Sequence, residues 1–241
     1  MLDKPSLVKD CTKLGFYYLG CQYYHIVWEG NGLKIVTYNI HKGMNADNET
    51  TLLEIGMYLK NMNFDIICLQ EVLYNQYLYL KKNLKMNGVF VANVKTINML
   101  YGICIFSSKE ILSYEHILLT SKKEQRGFLC TSINCLGKIN IINTHLGLDK
   151  EERRDQIDEI LNYKNTLEGN IVICGDFNEK NIAINIFKDS SNYNESYNIC
   201  TFPKSNSRID YIFIDESIII KKYVIDKITL SDHYPVIVEI G

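Results

Sequence analysis

Apolar runs in this sequence repeatedly end in side chains that carry oxygen or imidazole nitrogen. A buried strand ordinarily gives way to turn residues such as glycine, asparagine or serine. Here the residues at the run ends are Asn39, Glu71, His145, Asp176, Asn178, Asp210, Asp232 and His233. Each of them alone is compatible with a helix cap or a turn. Together they predict a functional site in the loops at one rim of a sheet.

The types of these side chains favour a hard cation. Asparagine, glutamate and aspartate supply oxygen ligands, which suit Mg²⁺ or Mn²⁺, and no sulfur is offered at the run ends. Glu71 directly follows a run that reads as buried, where a glutamate needs a cation or an arginine. Mg²⁺ is usually held by one or two carboxylates together with a substrate phosphate. The pattern therefore predicts phosphate-ester chemistry.

The elements that must position these residues alternate between strand-like and helix-like patterns from Leu33 onward. The segments 128–145 read as a hairpin that turns near Leu136-Gly137. Helices are predicted at 48–62, at 75–85, and from an Asp149 cap to about Leu167, with Glu152 completing a capping box. The other predicted strands are 33–40, 64–71, 88–94, 101–107, 170–178, 208–215, 217–225 and 234–240.

Composition is that of an ordinary globular protein. The chain has 241 residues, of which 46% are hydrophobic and 22% charged, and this excludes a disordered chain or a long coiled coil. A net charge of −2 provides no overall field that would attract DNA. Strands interspersed with helices, without a linker, predict one α/β domain.

Eight cysteines occur without a C-x-x-C pair, so the common zinc spacing is absent. Cys68, Cys104 and Cys174 lie within apolar runs, which is typical of reduced, buried cysteines. This usage predicts a cytoplasmic protein.

Residues 1–32 are interpreted as an N-terminal extension ahead of a domain at 33–241. Within it, 14–28 is apolar and aromatic, but it is shorter than the roughly 20 residues of a spanning helix. It also lacks the features of a signal peptide. We expect it to pack against the domain. The alternative is contact with a membrane or a partner protein.

The motifs TYNIHKG, CLQEV, YGICIFS, NTHLGL, GDFN, RIDYIF and SDHYPV, in this order, resemble the endonuclease/exonuclease/phosphatase superfamily. This superfamily includes deoxyribonuclease I and exonuclease III-type nucleases. The resemblance covers about 33–241 and is strongest to a compact bacterial branch. It implies an α/β fold, a four-layer α-β-β-α sandwich with two packed mixed sheets.

The resemblance also implies roles for the acidic and amide residues. Asn39, Glu71 and Asp232 match the residues that hold the metal, Mg²⁺ or Mn²⁺. Asp176 matches the aspartate that orients or deprotonates the attacking water. Asn178 matches the residue that positions that water and the phosphate.

Two histidines complete the implied catalytic set. His233 matches the histidine that contacts the scissile phosphate, and Asp210 matches the aspartate that orients it. Such a carboxylate fixes the tautomer of the ring and favours the imidazolium. His145 matches a second histidine, a phosphate ligand or proton donor.

Three further residues are candidate substrate contacts. Tyr101 falls near a tyrosine of the family. Arg126 matches a family arginine before a strand, the alternative being a surface salt bridge. His41 follows Asn39 and either borders the pocket or is an ordinary loop residue. Arg153 and Gln156 are expected to brace the loop after THLGL.

The implied activity is that of a divalent-metal-dependent hydrolase of phosphate esters, a phosphodiesterase or nuclease that uses a metal-site water. The alternative is a phosphomonoesterase, or a hydrolase of phospholipids or inositol phosphates, with the same catalytic centre. A non-catalytic binding module is a remote third hypothesis. The expected partner is a phosphate-ester substrate, nucleic acid among the candidates, and the chain is expected to be a monomer.

Overall fold

A computed structural model describes residues 32–135 and 137–241. The aromatic segment at 14–28 and Leu136 of the hairpin turn lie outside the described residues. The role of the N-terminal extension and its boundary with the domain therefore stay predictions. No helix within the described residues has the length and apolar character needed to cross a bilayer.

Twelve strands of the described chain form two sheets of six strands each. The first half of the chain supplies β1 Leu33–Asn39, α1 Leu52–Met62, β2 Ile66–Leu73, α2 Tyr74–Leu84, β3 Asn87–Lys95, β4 Leu100–Ser107 and β5 Ile111–Leu118. The second half supplies β6 Gly127–Asn134, β7 Lys138–His145, α3 Lys150–Lys164, β8 Asn170–Asp176, β9 Phe187–Asp189, β10 Asp210–Asp215, β11 Ile220–Ile225 and β12 Val236–Ile240.

Both sheets are mixed, with one parallel pair at the centre of each. Sheet 1 has the order β11-β12-β1-β2-β4-β3, and sheet 2 has the order β5-β6-β7-β8-β10-β9. The parallel pairs are β1 with β2 and β7 with β8. Because parallel neighbours need a crossover connection, α1 joins the first pair and α3 joins the second. The carboxyl ends of each pair thus lie side by side.

Apolar side chains fill the space between the two sheets and the space under the helices. The inner faces contribute Ile35 and Ile105 from sheet 1 and Val172 from sheet 2 to one buried cluster. A second cluster packs the outer face of sheet 2 against α3 through residues such as Ile160. Leu80 of α2 is likewise buried. The predicted α/β sandwich is confirmed.

The helices begin and end close to where the sequence predicts them. The helix expected at 48–62 starts later, at Leu52, and the one expected at 75–85 is Tyr74–Leu84. Asp149 caps α3 by accepting a hydrogen bond from the backbone N of Glu152 at 3.0 Å. The prediction that Glu152 completes a capping box is wrong. Its carboxylate accepts hydrogen bonds from Lys122 N and Gln156 Nε2 instead of from the backbone N of Asp149.

The predicted hairpin is confirmed, since Asn134 pairs with Lys138.

Two strands, β5 and β9, were not predicted from the sequence. Strand β5 is a sheet edge whose residues are mostly exposed or half-buried, so it lacks the apolar run by which the other strands were identified. Strand β9 has three residues, too few for any periodicity to be detected.

Candidate active site

The ends of four central strands meet at one rim of the sandwich. Asn39 ends β1, His145 ends β7 and Asp176 ends β8. Strand β10 is antiparallel to β8, with Asp210 opposite Asp176, so its first residue reaches the same rim. The arrangement at the strand ends inferred from the sequence therefore brings these four side chains together.

Glu71 reaches the rim through an irregularity in β2. Its φ angle of 56° lies in the left-handed region, which a glutamate seldom adopts. The pairing of β2 with β4 shifts register at this point, between Leu69 and Val72. The bulge aims the Glu71 carboxylate at Asn39, whose Nδ2 donates to Glu71 Oε1 at 3.2 Å.

Asp176 lies at the centre of the site and is 1% exposed. Its Oδ2 accepts from Asn39 Nδ2 at 3.0 Å, and its Oδ1 accepts from the backbone N of Asn178 at 2.9 Å. Burial, opposed by the charge of His233 and reinforced by that of Asp210, raises the pKa of Asp176 to about 7. A carboxyl group with such a pKa can take up and release a proton near neutral pH.

His233 is paired with Asp210. Its Nδ1 lies 2.9 Å from Asp210 Oδ2, and its Nε2 lies 3.6 Å from Asp176 Oδ2. Burial lowers the pKa of His233, but the charges of Asp210 and Asp176 more than offset this effect and raise it to about 10. The ring is therefore an imidazolium at neutral pH, with one nitrogen fixed by Asp210 and the other directed at the centre of the site.

Two residues that the sequence analysis did not identify hold this pair in place. Thr201 Oγ1 accepts hydrogen bonds from the backbone N atoms of Ile209 and Asp210, at 3.0 and 3.1 Å. The Phe202 ring covers the His233 ring, with their centroids 4.7 Å apart. Both lie shortly before the RIDYIF segment but far along the chain from His233, so no local spacing points to their contact with that ring.

His145 faces the same carboxylate from the other side. Its Nε2 is 3.6 Å from Asp176 Oδ2, and Arg126 NH1 lies 3.1 Å from its Nδ1. Burial, together with the charges of Arg126 and His233, holds the pKa of His145 well below its usual range. His145 and His233 therefore carry different charges at neutral pH.

Of the two interpretations of Arg126, the salt bridge is present, and contact with a substrate stays a prediction. Arg126 is buried beside His145, and it also forms a salt bridge with Glu124 at 2.8 Å. The guanidinium thus adds fixed positive charge at the edge of the site.

Asn178 and the loop after β7 are tied together. Asn178 Nδ2 donates to the backbone O of Leu146 at 2.9 Å. Gln156 Oε1 accepts from the backbone N of Gly147 at 2.8 Å, and Arg153 NH1 donates to Gly147 O at 3.2 Å. Arg153 and Gln156 therefore brace this loop, as the sequence predicted.

Asp232 lies at the sheet 1 side of the site with His41. Ser231 Oγ donates to the backbone O of Asn39 at 2.8 Å, which fixes the loop before β12 against β1. His41 Nδ1 is 3.6 Å from Asp232 Oδ1, and the backbone N of His41 donates to Asn39 Oδ1 at 3.0 Å. His41 has a φ angle of 45°, so its position at the rim is maintained in an unfavourable backbone conformation.

Tyr101 starts the buried part of β4, beside Glu71. Burial and the charge of Glu71 raise its pKa, and Lys42 Nζ lies 5.4 Å from the centre of its ring. It borders the site from sheet 1 as Arg126 does from sheet 2.

Two donor sets at this rim could hold a cation. On the sheet 1 side, oxygen donors are carried by Asn39 and Glu71, which contact each other at 3.2 Å, and by Asp232, 3.6 Å from His41. Among the described residues, one group of three acidic or histidine side chains has donor atoms within 4.8 Å of one another: Asp176, Asp210 and His233. The four carboxylates of the two sets favour a hard divalent cation, so the donors present fit Mg²⁺ or Mn²⁺.

The chain is similar to several known proteins. It is 27% identical over 168 residues to YbhP, an uncharacterised protein of Escherichia coli (strain K12). That match covers 61% of this chain and 66% of YbhP, so the chain spans just under two thirds of this relative. The mannosyl-6-phosphatase Bt3783 of Bacteroides thetaiotaomicron has the same fold, with a TM-score of 0.72 and 19% identity over 87% of this chain and 99% of Bt3783.

A third similar protein is D. rerio TDP2, solved in complex with a single-strand DNA product. Its TM-score is 0.73 at 18% identity, and the match covers 88% of this chain and 100% of TDP2. The sequence profile of the endonuclease/exonuclease/phosphatase family matches residues 36–233, which include every site residue described above. The profile match covers most of the chain, and the order of the motifs and the sandwich fold agree with it. The chain therefore belongs to the endonuclease/exonuclease/phosphatase family.

Proposed function

We propose that this chain is a Mg²⁺- or Mn²⁺-dependent phosphodiesterase or nuclease in which a water molecule attacks the phosphorus. One observation carries the proposal. The buried Asp176 carboxylate lies 3.6 Å from His233 Nε2, while Asp210 holds the other nitrogen of that ring at 2.9 Å. The Asp176 carboxylate, a proton acceptor, thus lies beside the positively charged His233 ring, and hydrolysis of an anionic ester requires both kinds of group.

The cation is assigned to Asn39, Glu71 and Asp232. Asp210 and His233 are engaged with each other, so the sheet 1 carboxylates are the freer donors. Once bound, the cation would neutralise negative charge on the phosphate oxygens. The left-handed backbone at Glu71 is consistent with this assignment, because strain at a single residue is commonly retained where function needs it.

Asp176 is assigned to the attacking water. Its carboxylate is fixed by Asn39 and by the backbone N of Asn178, so it can orient a water molecule without reorganising. Since its pKa is raised to about 7, it is basic enough to accept the proton that the water loses.

The phosphate is assigned to the positive side chains around Asp176. The His233 imidazolium donates to a phosphate oxygen, and Asp210 keeps the ring charged and oriented. Arg126 adds charge on the opposite side, next to the neutral ring of His145. His145 serves as a hydrogen-bond donor to the phosphate, and Asn178 holds the loop that follows His145.

A second candidate is a phosphomonoesterase with the same catalytic centre. The likeness to the mannosyl-6-phosphatase Bt3783 supports it, as the likeness to TDP2 with its DNA product supports a nuclease. The roles proposed above concern only the water, the phosphate and the cation, so both reactions are chemically compatible with them. Substrate tests must separate them.

The decisive experiment is a substrate panel with metal control. The purified full chain is assayed on single-stranded DNA, RNA, bis-p-nitrophenyl phosphate, sugar phosphates, inositol phosphates and sphingomyelin, with Mg²⁺, with Mn²⁺ and with EDTA. We expect hydrolysis of a phosphodiester that EDTA abolishes. Preferential release of phosphate from monoesters would establish the second candidate.

Matched variants connect that activity to the site. Asp176→Asn and His233→Gln should each reduce kcat by about 10²–10⁴-fold, the typical contribution of an acid–base group. Asp155→Asn and His116→Gln lie outside the site and should retain activity. Full activity of both site variants, or activity that survives EDTA, would reject the mechanism.

A further inference from the structure

Two polar side chains meet between the sheets, directly below the site. Gln70 of β2 donates from Nε2 to Oδ1 of Asn143 of β7, at 2.7 Å. Both side chains are completely buried. This contact, here called the Gln70–Asn143 bridge, joins sheet 1 to sheet 2 by a hydrogen bond, whereas the surrounding inter-sheet core is apolar.

The bridge extends over three strands of sheet 1. Asn143 Nδ2 donates to the backbone O of Leu69 in β2 and of Cys104 in β4, both at 3.0 Å. Gln70 Nε2 also donates to Thr37 Oγ1 of β1 at 3.0 Å. One side chain of sheet 2 is thus held by directional bonds to neighbouring strands of sheet 1.

Apolar packing alone would not fix the two sheets so tightly. Contacts between apolar side chains are non-directional, so they tolerate small shifts of one sheet over the other. Hydrogen bonds in a low-dielectric interior are sensitive to distance and angle. Among the described residues no donor reaches Gln70 Oε1, so the glutamine itself leaves one buried acceptor unpaired, which costs stability. Stability alone therefore does not explain a glutamine here.

The bridge lies next to both halves of the site. Gln70 immediately precedes Glu71, and it pairs with Asn39 in the ladder between β1 and β2. Asn143 is two residues before His145, so their side chains point to the same face of β7. A shift of the sheets at this level would be transmitted directly to the contact between Asn39 and Asp176.

We propose that the Gln70–Asn143 bridge is a positioning element that sets the register between the two sheets and thereby holds the cation ligands of sheet 1 against the acid–base groups of sheet 2. Neither residue touches the reacting atoms. The inference rests on the proposed function for its catalytic consequence, but its structural consequence can be measured without any substrate.

Replacing both partners by apolar side chains separates positioning from stability. Loss of one partner leaves a buried polar group unpaired and destabilises the fold, whereas replacing both by groups of similar shape can be nearly neutral. Gln70→Met, Asn143→Leu and the double variant are therefore compared in the full chain. Asn140→Leu is the matched control, because Asn140 is also completely buried on β7 but bonds within sheet 2 and to Glu168.

For the double variant we expect a Tm near that of the wild type and a Kd for Mn²⁺ within about threefold, since the assigned ligands all belong to the sheet 1 side. We expect kcat to fall by roughly 10- to 100-fold, because displacement on the order of 1 Å has effects of that size. Asn140→Leu should lower the Tm and retain kcat. A double variant with wild-type kcat, or a control with an equal loss of kcat, would overturn the proposal.

A crystal structure of the double variant decides the structural part. The Asn39 Nδ2 to Asp176 Oδ2 distance, 3.0 Å in the native chain, should exceed hydrogen-bonding range, about 3.5 Å. An unchanged distance would overturn the proposal. A wild-type chain inactive on every substrate would reject the proposed function, and this distance would still decide whether the bridge sets the register.

Discussion

The two sheets of this protein use the same backbone arrangement for different chemistry. In sheet 1, β1-α1-β2 brings Asn39 and Glu71 to the rim, and in sheet 2, β7-α3-β8 brings His145 and Asp176 to it. The first pair offers only oxygen atoms as cation ligands, and Asn39 Nδ2 donates a hydrogen bond to Asp176. The second pair offers an imidazole and a carboxylate, both with shifted pKa values. Under the proposed function, one topological device would supply both a cation site and a proton-transfer site.

Burial accounts for much of the difference between the two sides. Glu71 and Asp232 are partly exposed, so water can reach the carboxylates proposed to bind a cation. Asp176 and Asp210 are each 1% exposed, so their charges act strongly on each other and on His233. A partly exposed acidic side suits exchange of a metal ion, and a buried side suits control of protonation.

The largest effect is expected at His233, which lies in the loop before β12 but is bound to Asp210 of sheet 2. His233→Gln removes the imidazolium beside Asp176, so kcat should fall by about 10²–10⁴-fold. The Kd for Mn²⁺, measured by calorimetry, should stay within about threefold of the wild type. A large loss of Mn²⁺ affinity would mean that the two sides do not divide the work as proposed.

The reciprocal change is Glu71→Gln on the sheet 1 side. It removes a charge from a proposed ligand, so the Kd for Mn²⁺ should rise by at least about 10-fold. Changing residues that only support metal ligands already weakens metal affinity by about 10- to 100-fold. Activity should recover in part at high Mn²⁺ concentration. Unchanged affinity with reduced kcat would place the cation elsewhere.

A smaller, pH-dependent effect is expected for Asp210→Asn. The charge of Asp210 is the main cause that raises the pKa of His233 to about 10, so its removal must lower that pKa. Activity requires the imidazolium and is lost as the pH rises through its pKa. The alkaline limb of the kcat profile should therefore move to lower pH, by at least one unit, with a tenfold loss per unit above the new pKa. An unmoved alkaline limb would contradict this role for His233.

The smallest effect on turnover is expected at the brace of sheet 2. Gln156→Leu removes the buried acceptor for the backbone N of Gly147 and leaves that donor unpaired. The free energy of unfolding should fall by about 1–3 kcal/mol in urea titrations. We expect kcat to change by less than tenfold, because Gln156 holds the loop and not the reacting groups. A loss as large as that of His233→Gln would instead make this loop part of the catalytic machinery.

Much of this site could be predicted because the signal lies in single strands. A buried run that ends in Asn39 or Asp176 is visible in the sequence, and a topology with adjacent strand ends brings such residues together. The kind of cation that these side chains favour stays a prediction. A cap at Asp149 and helical spacing located α3, and the resemblance to the family pointed to the brace formed by Gln156.

What could not be predicted depends on pairing between distant segments. The register that sets Asp210 opposite Asp176 follows from the antiparallel pairing of β10 with β8, which no local pattern encodes. The bulge at Glu71 is a property of two strands, and the cover of His233 by Phe202 depends on a loop 31 positions earlier in the chain. Gln70 and Asn143 look like ordinary polar residues within apolar runs until the two sheets are packed together.

The most direct test of the division between the two sheets is to locate the cation. A crystal of the full chain soaked in Mn²⁺ gives an anomalous difference map in which the manganese position is independent of any assumption about its ligands. The account predicts a peak bonded to the carboxylates of Glu71 and Asp232, on the sheet 1 side of Asn39. A sole peak bonded to Asp176, Asp210 and His233 would contradict it, because the groups assigned to proton transfer would then be the metal ligands.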